Sequence, residues 1–492
     1  MKFIFALTFA LGIQICTGQI QTSELIGVEN EIIKLMERYD AAGVSVAVVK
    51  DQDVIYSKGF GFRDLEKRLP VDDNTIFHIA SMTKAFTGSL LGILESENQL
   101  SLKDRPGLYI PNFQFYNDKM NNLITIEDLL SHRSGLGNQG TSLTLFPEND
   151  KLKIVQRLKY LKPQAEVKNS WAYSNMGYTL AGVVVEQVIG KRWEAVVKEK
   201  IFEPLKMSSS MTTIEELMKM SNYALGYSLR NGNMIQVPFE NYYGYSPAGA
   251  IKSSSKDLCN WMLAWLNKGF YEGTQVIPQE YVKKAMRLQN IKSDVYEKDA
   301  YLFGEGFGWR LRSYNGYFRV RHGGNTNGFS TVMDMFPFSN IGIVVLTNQS
   351  NSVLPYLISD HISRKLLKLP MDVDYPVNVG EMYTPNEEDN PINTDEKPTH
   401  PISDLLGRYH AKGYGTVEIK VENKLIYAHF PTYTFKLEHL NYNNFYLEGL
   451  QDFKASFNPE FTVEFVVDTE GKVERFKIYS QKVPVEFLKE RK

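Results

Sequence analysis

Ser-x-x-Lys occurs at Ser81 and Lys84 and again at Ser253 and Lys256. In a helix this spacing stacks hydroxyl and amine on one face within hydrogen-bond reach. A serine hydroxyl is a poor nucleophile until a neighbour accepts its proton, and a lysine desolvated among polar groups can be neutral enough to accept it. Context separates the two copies. Ile76-Phe77-His78-Ile79-Ala80 leads into Ser81, and Met82, Ala85, Phe86, Leu90, Leu91 and Leu94 follow at helical spacing, which predicts that Ser81 opens a buried helix. A helix start also offers its backbone N–H to a developing oxyanion. Ser253-Ser254-Ser255-Lys256-Asp257 precedes an apolar helix, where serines cap orphan backbone donors.

Tyr-x-Asn stands at Tyr173-Ser174-Asn175 and at Tyr442-Asn443-Asn444. The first precedes a helical run and offers a phenol for proton transfer and a carboxamide for substrate and lysine. The second, in a β-rich tail, reads as a turn. His322-Gly323-Gly324 precedes a strand, where glycines let a substrate backbone approach a sheet edge. Other patterns fail. Gly135-Leu136-Gly137-Asn138-Gln139-Gly140 matches a dinucleotide fingerprint but follows a helix where that motif needs a strand, so it reads as a loop. Gly-x-Ser-x-Gly and His-Glu-x-x-His are absent, and 8 dispersed histidines and 2 cysteines suggest no metal site. Neither metal nor cofactor is expected.

These residues need a frame. The β-branched runs 44–50 and 54–58, split by Asp51-Gln52-Asp53, predict one antiparallel hairpin, and 328–335 with 341–347 predict another. Between them lie helical stretches at 84–95, 126–131, 178–189 and 257–266, the last two closed by Gly190 and Gly269. The pattern predicts an α/β unit over 19–370: an antiparallel sheet completed by both ends of the segment, flanked by helices, with an inserted helical subdomain. Residues 371–400, with Pro376, Pro385, Pro391 and Pro398 and a strong acidic excess, read as a linker. In 401–492, Val417, Ile419 and Val421 alternate with charged residues, and Glu470-Gly471 reads as a hairpin turn. This tail is expected to be a small all-β barrel or sandwich, separable from 19–370.

With 492 residues, 43% apolar and 23% charged, the chain has globular composition, not that of a collagen, a mostly disordered chain or a polytopic membrane protein. A net charge of -2 without a basic run argues against a nucleic-acid partner. Lys2, the apolar run 3–15 and Cys16-Thr17-Gly18 read as a secretory signal over 1–18, so export to a periplasm or the medium is expected. Its apolar core is too short for a membrane span of about 20 residues, and none is expected in the mature chain. Cys259, in an apolar helical pattern, reads as a small buried hydrophobe.

Taken in order, the motifs resemble the serine β-lactamase and penicillin-recognising superfamily. The similarity is to its class C-like branch, which includes D-alanyl-D-alanine carboxypeptidases, D-amino-acid peptidases and esterases. It covers nearly all of 28–365 and rests on Phe77-His78-Ile79-Ala80-Ser81-Met82-Thr83-Lys84, on residues 125–136 around Ser131-His132-Arg133-Ser134-Gly135, and on Tyr173-Ser174-Asn175-Met176-Gly177-Tyr178. Pro204-Leu205-Lys206-Met207, Pro247-Ala248-Gly249 and the His322 segment add to it. The tail resembles the lipocalin-like β domain often appended to such hydrolases.

The resemblance implies Ser81 as the acylated nucleophile, Lys84 and Tyr173 as a coupled proton-transfer pair, and Asn175 as a contact for substrate and lysine. It places His322, Gly323 and Gly324 on the strand lining the site, makes Asn325 the donor of a second oxyanion N–H, and puts His132 in a structural turn. β-Lactamases of this branch carry Lys-Thr-Gly where His322-Gly323-Gly324 stands, so a permanent cation and a hydroxyl that hold a β-lactam carboxylate are missing. The expectation is an exported serine hydrolase acting through an acyl-enzyme on a small-molecule or peptide amide or ester. A class C-like β-lactamase is one alternative, and an envelope penicillin-binding or sensor protein that acylates without turnover is another. Lys84 and Tyr173 favour turnover, and the oligomeric state stays open.

Overall fold

Val44, Val46 and Val48 point to one side of their strand and Ala47 and Val49 to the other, and both sides are buried in apolar cores. Period-2 alternation with apolar residues on both faces demands a sheet covered twice. The computed structural model, which describes residues 23–230, 232–293, 301–373, 396–449, 461–479 and 482–491, shows that arrangement. The expected leader and most of the expected linker lie outside the described residues.

Nine antiparallel strands form the sheet, in the order Asn290–Ser293, Phe303–Glu305, Arg310–Tyr314, Tyr317–Thr326, Phe329–Phe336, Ile341–Thr347, Gly43–Lys50, Asp53–Asp64 and Leu69–Pro70. Both predicted hairpins are present, and Gly43–Lys50 pairs with Ile341–Thr347, so the sheet is closed by segments from opposite ends of the unit. One face carries Val28–Arg38 and Leu354–Leu366, two helices that the periodicity reading does not single out. The other packs on the larger core with Thr83–Ser96, Asn175–Ile189 and Ser255–Leu266.

Helix ends follow local chemistry. Ser174 caps Asn175–Ile189 by accepting the Gly177 N–H at 3.0 Å, which starts this helix earlier than the apolar pattern indicates. Gly190 closes it in the left-handed conformation that glycine adopts without strain. Ser254 caps Ser255–Leu266 through the Asp257 N–H, so one of the repeated serines has the capping role expected of that segment. Cys259 is buried on that helix. No helix among the described residues is long and apolar enough to cross a membrane.

The tail is a closed antiparallel barrel of eight strands running from Gly407–Ala411 to Val485–Lys489. Closure removes the exposed edges that an open sheet would present. Its core is not wholly its own. Leu145 and Phe146 from the helical subdomain are buried in it, with the Phe146 ring centroid 5.7 Å from those of both Phe430 and Phe487. Around this plug Ser142 Oγ donates to the Gly413 carbonyl at 3.1 Å, Tyr414 OH to Gln139 Oε1 at 3.2 Å and the Val483 N–H to Gln164 Oε1 at 2.8 Å. The separability expected from the tail's own strand pattern therefore meets a shared core. Phe146→Ala is expected to destabilise the full chain by about 3–5 kcal/mol, the usual cost of removing a buried aromatic ring. Urea unfolding checks this, and a loss below about 1 kcal/mol would show that the barrel does not depend on the plug.

Candidate active site

Ser81 lies in a single 3-10 turn, Ala80–Met82, that runs directly into Thr83–Ser96, so Lys84 is on the first turn of a buried helix. Ala80 is held at φ 46°, a left-handed conformation that an alanine adopts only under constraint, and this sets the Ser81 side chain at the turn. Lys84 Nζ lies 3.1 Å from Ser81 Oγ. It also donates to Asn175 Oδ1 at 2.8 Å and to the Ala248 carbonyl at 2.7 Å. Tyr173 OH donates to Ser81 Oγ at 2.9 Å. Five residues spread from 81 to 248 thus meet at one oxygen or its lysine neighbour.

Tyr173 occupies an irregular segment ahead of its helix, and His132 holds that segment. The Ala172 N–H donates to the His132 carbonyl at 2.8 Å, and the Ser174 N–H donates to His132 Nδ1 at 3.1 Å. The His132 ring lies against Tyr173, with 4.4 Å between centroids. Burial, with the Lys84 charge next, drives the His132 pKa well below the ordinary histidine value, so the ring is a neutral prop beneath the phenol.

The electrostatics follow from burial. Lys84 has no solvent exposure, and desolvation, with Arg310 second, pushes its pKa well below the usual lysine value. Desolvation raises the Tyr173 phenol to about 12, so it keeps its proton at neutral pH. His322 is buried as well, with its pKa driven well below 6.5 by burial and then by Arg310 and Lys84. Its Nδ1 is 2.7 Å from the Gly323 carbonyl, which a neutral ring satisfies by placing its proton there and leaving Nε2 as an acceptor. The ordinary titration range of histidine predicts a mostly neutral side chain, and the structure makes it neutral well below that range.

His322, Gly323 and Gly324 lie within the strand Tyr317–Thr326 and not ahead of one. What approaches the two glycines differs from the expectation too. A Cβ at Gly323 would come 2.0 Å from the Tyr356 hydroxyl, and one at Gly324 would come 2.2 Å from the Ile79 carbonyl. The glycines therefore admit the protein's own turn bearing Ser81 and the Leu354–Leu366 helix; the motif does not reserve that space for substrate. Asn325 follows at the exposed end of the strand. Its Oδ1 accepts from Ser330 Oγ and from the Asn351 N–H, each at 2.9 Å, so the side chain is engaged and the main-chain N–H is the group it can offer the site.

Ser253 has different surroundings. It is buried and shares a 2.8 Å hydrogen bond with Ser210, while Lys256 is exposed, so no serine–lysine pair forms there. Several residues at the site have no motif to announce them. Trp171, Glu305, Arg310 and Lys292 are these, and only the proximity of Trp171 to Tyr173 in the chain hints at a role, whereas the Ala248 carbonyl lies in the Pro247-Ala248-Gly249 match, to which the sequence attaches no role. Among the described residues, no group of three His, Cys, Asp or Glu is placed to hold a metal ion. Beside the site, a cleft of about 520 Å³ is lined by Phe239, Glu240, Tyr245 and Asn327 together with Thr432 and Tyr433 of the barrel.

A beta-lactamase family model matches residues 28–359, and a model for a domain of unknown function (DUF3471) matches 393–490. The chain is 28% identical over 337 residues to Protein flp of Staphylococcus aureus (strain COL), covering 66% of this chain and 63% of that protein. It is 29% identical over 359 residues to Unguisins hydrolase ungD' of Aspergillus campestris, covering 68% of this chain and 64% of that one. The chain thus spans a little under two thirds of the length of these relatives. Among solved structures it is similar to the octameric penicillin-binding protein homologue from Pyrococcus abyssi, with TM-score 0.63 and 25% identity over 93% of this chain and 99% of that one. A penicillin binding protein from Bacillus halodurans shares the fold at TM-score 0.54 and 21% identity, over 68% of this chain and 98% of that one.

Proposed function

The chain belongs to the beta-lactamase family, and from that membership we propose that it is an exported serine hydrolase that cleaves a small amide or ester through an acyl-enzyme on Ser81. One observation carries the reading: Lys84, fully buried, has its nitrogen shared among Ser81 Oγ, Asn175 Oδ1 and the Ala248 carbonyl. A neutral amine has two N–H groups and one lone pair. With both N–H groups given to Asn175 and Ala248, the lone pair is directed at Ser81 Oγ, and desolvation favours that neutral form. Lys84 takes the hydroxyl proton as Ser81 attacks the substrate carbonyl. Tyr173, still protonated, stabilises the oxygen it touches and supplies a proton to the leaving group, and water reverses the sequence in deacylation. The N–H groups of Ser81 and Asn325 are the proposed oxyanion donors.

Selectivity turns on the cations. A neutral His322 cannot stand in for lysine in holding a substrate carboxylate, and Arg310, whose charge acts on His322, has Glu305 at 3.6 Å. Neutral esters or peptides are therefore expected to be used faster than a cephalosporin, and His322→Lys is expected to raise the relative use of carboxylate-bearing substrates. Ratios of kcat/KM for p-nitrophenyl esters, D-amino-acid peptides and a chromogenic cephalosporin test this, because selectivity is differential transition-state stabilisation. Faster cleavage of the cephalosporin than of any ester or peptide would replace this reading with a β-lactamase. Acylation without release would support a penicillin-binding or sensor role. N-terminal sequencing of the exported protein tests the address: a mature chain starting at Gln19 supports export, and retention of Met1 would overturn it.

A further inference from the structure

Glu305 ends the strand Phe303–Glu305 and is almost wholly buried, although it touches neither Ser81 nor Lys84. Its Oε1 accepts the Trp171 indole N–H at 3.2 Å, and Arg310, its partner on the neighbouring strand, brings Nε to 3.6 Å. Trp171 is two residues ahead of Tyr173, with 6.3 Å between ring centroids. The irregular segment that carries Tyr173 is thus tied at two points, to His132 on one side and through Trp171 to Glu305 on the other. The Lys292 ammonium stands over the Trp171 and Phe303 rings at 4.4 Å each.

Resting on the reading of Lys84 as the base, we propose that Glu305 is a positioning residue of the catalytic group: through Trp171 it holds the Tyr173 segment, and with Arg310 it forms the buried charge pair that stands behind the site. A carboxylate is expensive to bury and survives there only with partners. Burial raises Glu305 to about 7, with Arg310 and then Lys292 opposing the rise. The groups facing it are Trp171, Tyr173 and Tyr178 from the helical subdomain, Lys84 from the helix bearing the site, and Arg310 and Lys292 from the sheet. At Lys84, Arg310 favours the neutral amine and Glu305 favours the ammonium. The two charges therefore pull the base in opposite directions.

The signs give the test. Glu305→Gln keeps an acceptor for Trp171 but removes the anion, so Lys84 loses its proton more readily and the acid limb of activity moves to lower pH, by about half to one unit. Arg310→Gln removes a cation that favours the neutral amine and also the main counter-charge of Glu305, so its two effects on Lys84 oppose each other and the limb moves less than in Glu305→Gln. Trp171→Phe keeps both charges, so it is expected to slow the reaction several-fold and leave the limb where it is. The measured quantity is the second-order rate constant for fluorophosphonate labelling of the full-length protein from about pH 5 to 10, with unfolding midpoints taken for each variant. This readout needs no knowledge of the natural substrate. A limb moved to lower pH by Glu305→Gln and left in place by Trp171→Phe supports the proposal, and a limb that Glu305→Gln leaves unmoved or moves to higher pH overturns it. If Glu305→Gln fails to fold, Trp171→Phe decides: several-fold slower labelling with the limb in place supports the proposal, and an unchanged rate overturns it. Absence of labelling at Ser81 in the wild type would refute the underlying assignment of the nucleophile instead, a separate outcome.

Discussion

Ser81→Ala is expected to abolish covalent labelling by a fluorophosphonate or a fluorescent penicillin, while Ser253→Ala leaves it intact. The two serines share a sequence pattern and differ in every physical respect that matters to acylation. Ser81 Oγ has an amine at 3.1 Å and a phenol at 2.9 Å. Ser253 Oγ is shut in the core against Ser210 with its patterned lysine in solvent, so it has neither a base nor access. Intact mass of each variant after labelling reads the result directly. An adduct retained in Ser81→Ala would place the nucleophile elsewhere.

Lys84→Ala and Tyr173→Phe are each expected to lower turnover about a hundredfold or more, the usual effect of losing a proton-transfer group. Both contact the same oxygen, and Lys84 Nζ lies 4.8 Å from the Tyr173 ring centre, so they act on one proton path. The double variant should therefore fall well short of the product of the single losses. Lys84→Ala also strands Asn175 Oδ1 and the Ala248 carbonyl in a buried space, so its unfolding midpoint must be compared with that of wild type before the rate is read. Tyr173→Phe keeps the ring and removes only the hydroxyl, which makes it the cleaner member of the pair. Multiplicative losses in the double-mutant cycle would contradict a shared proton path.

Much of the frame was legible because it rests on short-range rules. Alternating β-branched runs at 44–50 and 341–347 imply strands, and Gly190 and Gly269 mark helix ends. In the tail, Val417 and Ile419 point into the barrel as their alternation with charged residues predicts, and Glu470-Gly471 turns between Thr462–Val467 and Val473–Tyr479. The fraction left unread depends on packing between distant segments. Nothing in Leu145-Phe146 announces a plug for a barrel whose strands begin more than 250 residues later, because an apolar pair is equally at home in its own subdomain. Gly323 and Gly324 suggested close approach, but whether substrate or protein fills the space depends on where Tyr356 and Ile79 come to lie.

The amino-acid sequence alone determined the proximity of Ser81 and Lys84, since three residues at a helix start leave two side chains little freedom to part. It also determined the alternation that makes the sheet and the barrel, and the absence of a lysine at position 322. Tertiary structure decided which of two Ser-x-x-Lys copies is desolvated beside a phenol, and that the Ala248 carbonyl shares the lysine. It also decided that a carboxylate and a guanidinium 3.6 Å apart stand behind the site. The reason is the range of the forces involved. Spacing and capping act over a few residues, whereas the ionisation of Lys84, Tyr173, His322 and Glu305 depends on water excluded by elements hundreds of residues apart in the chain.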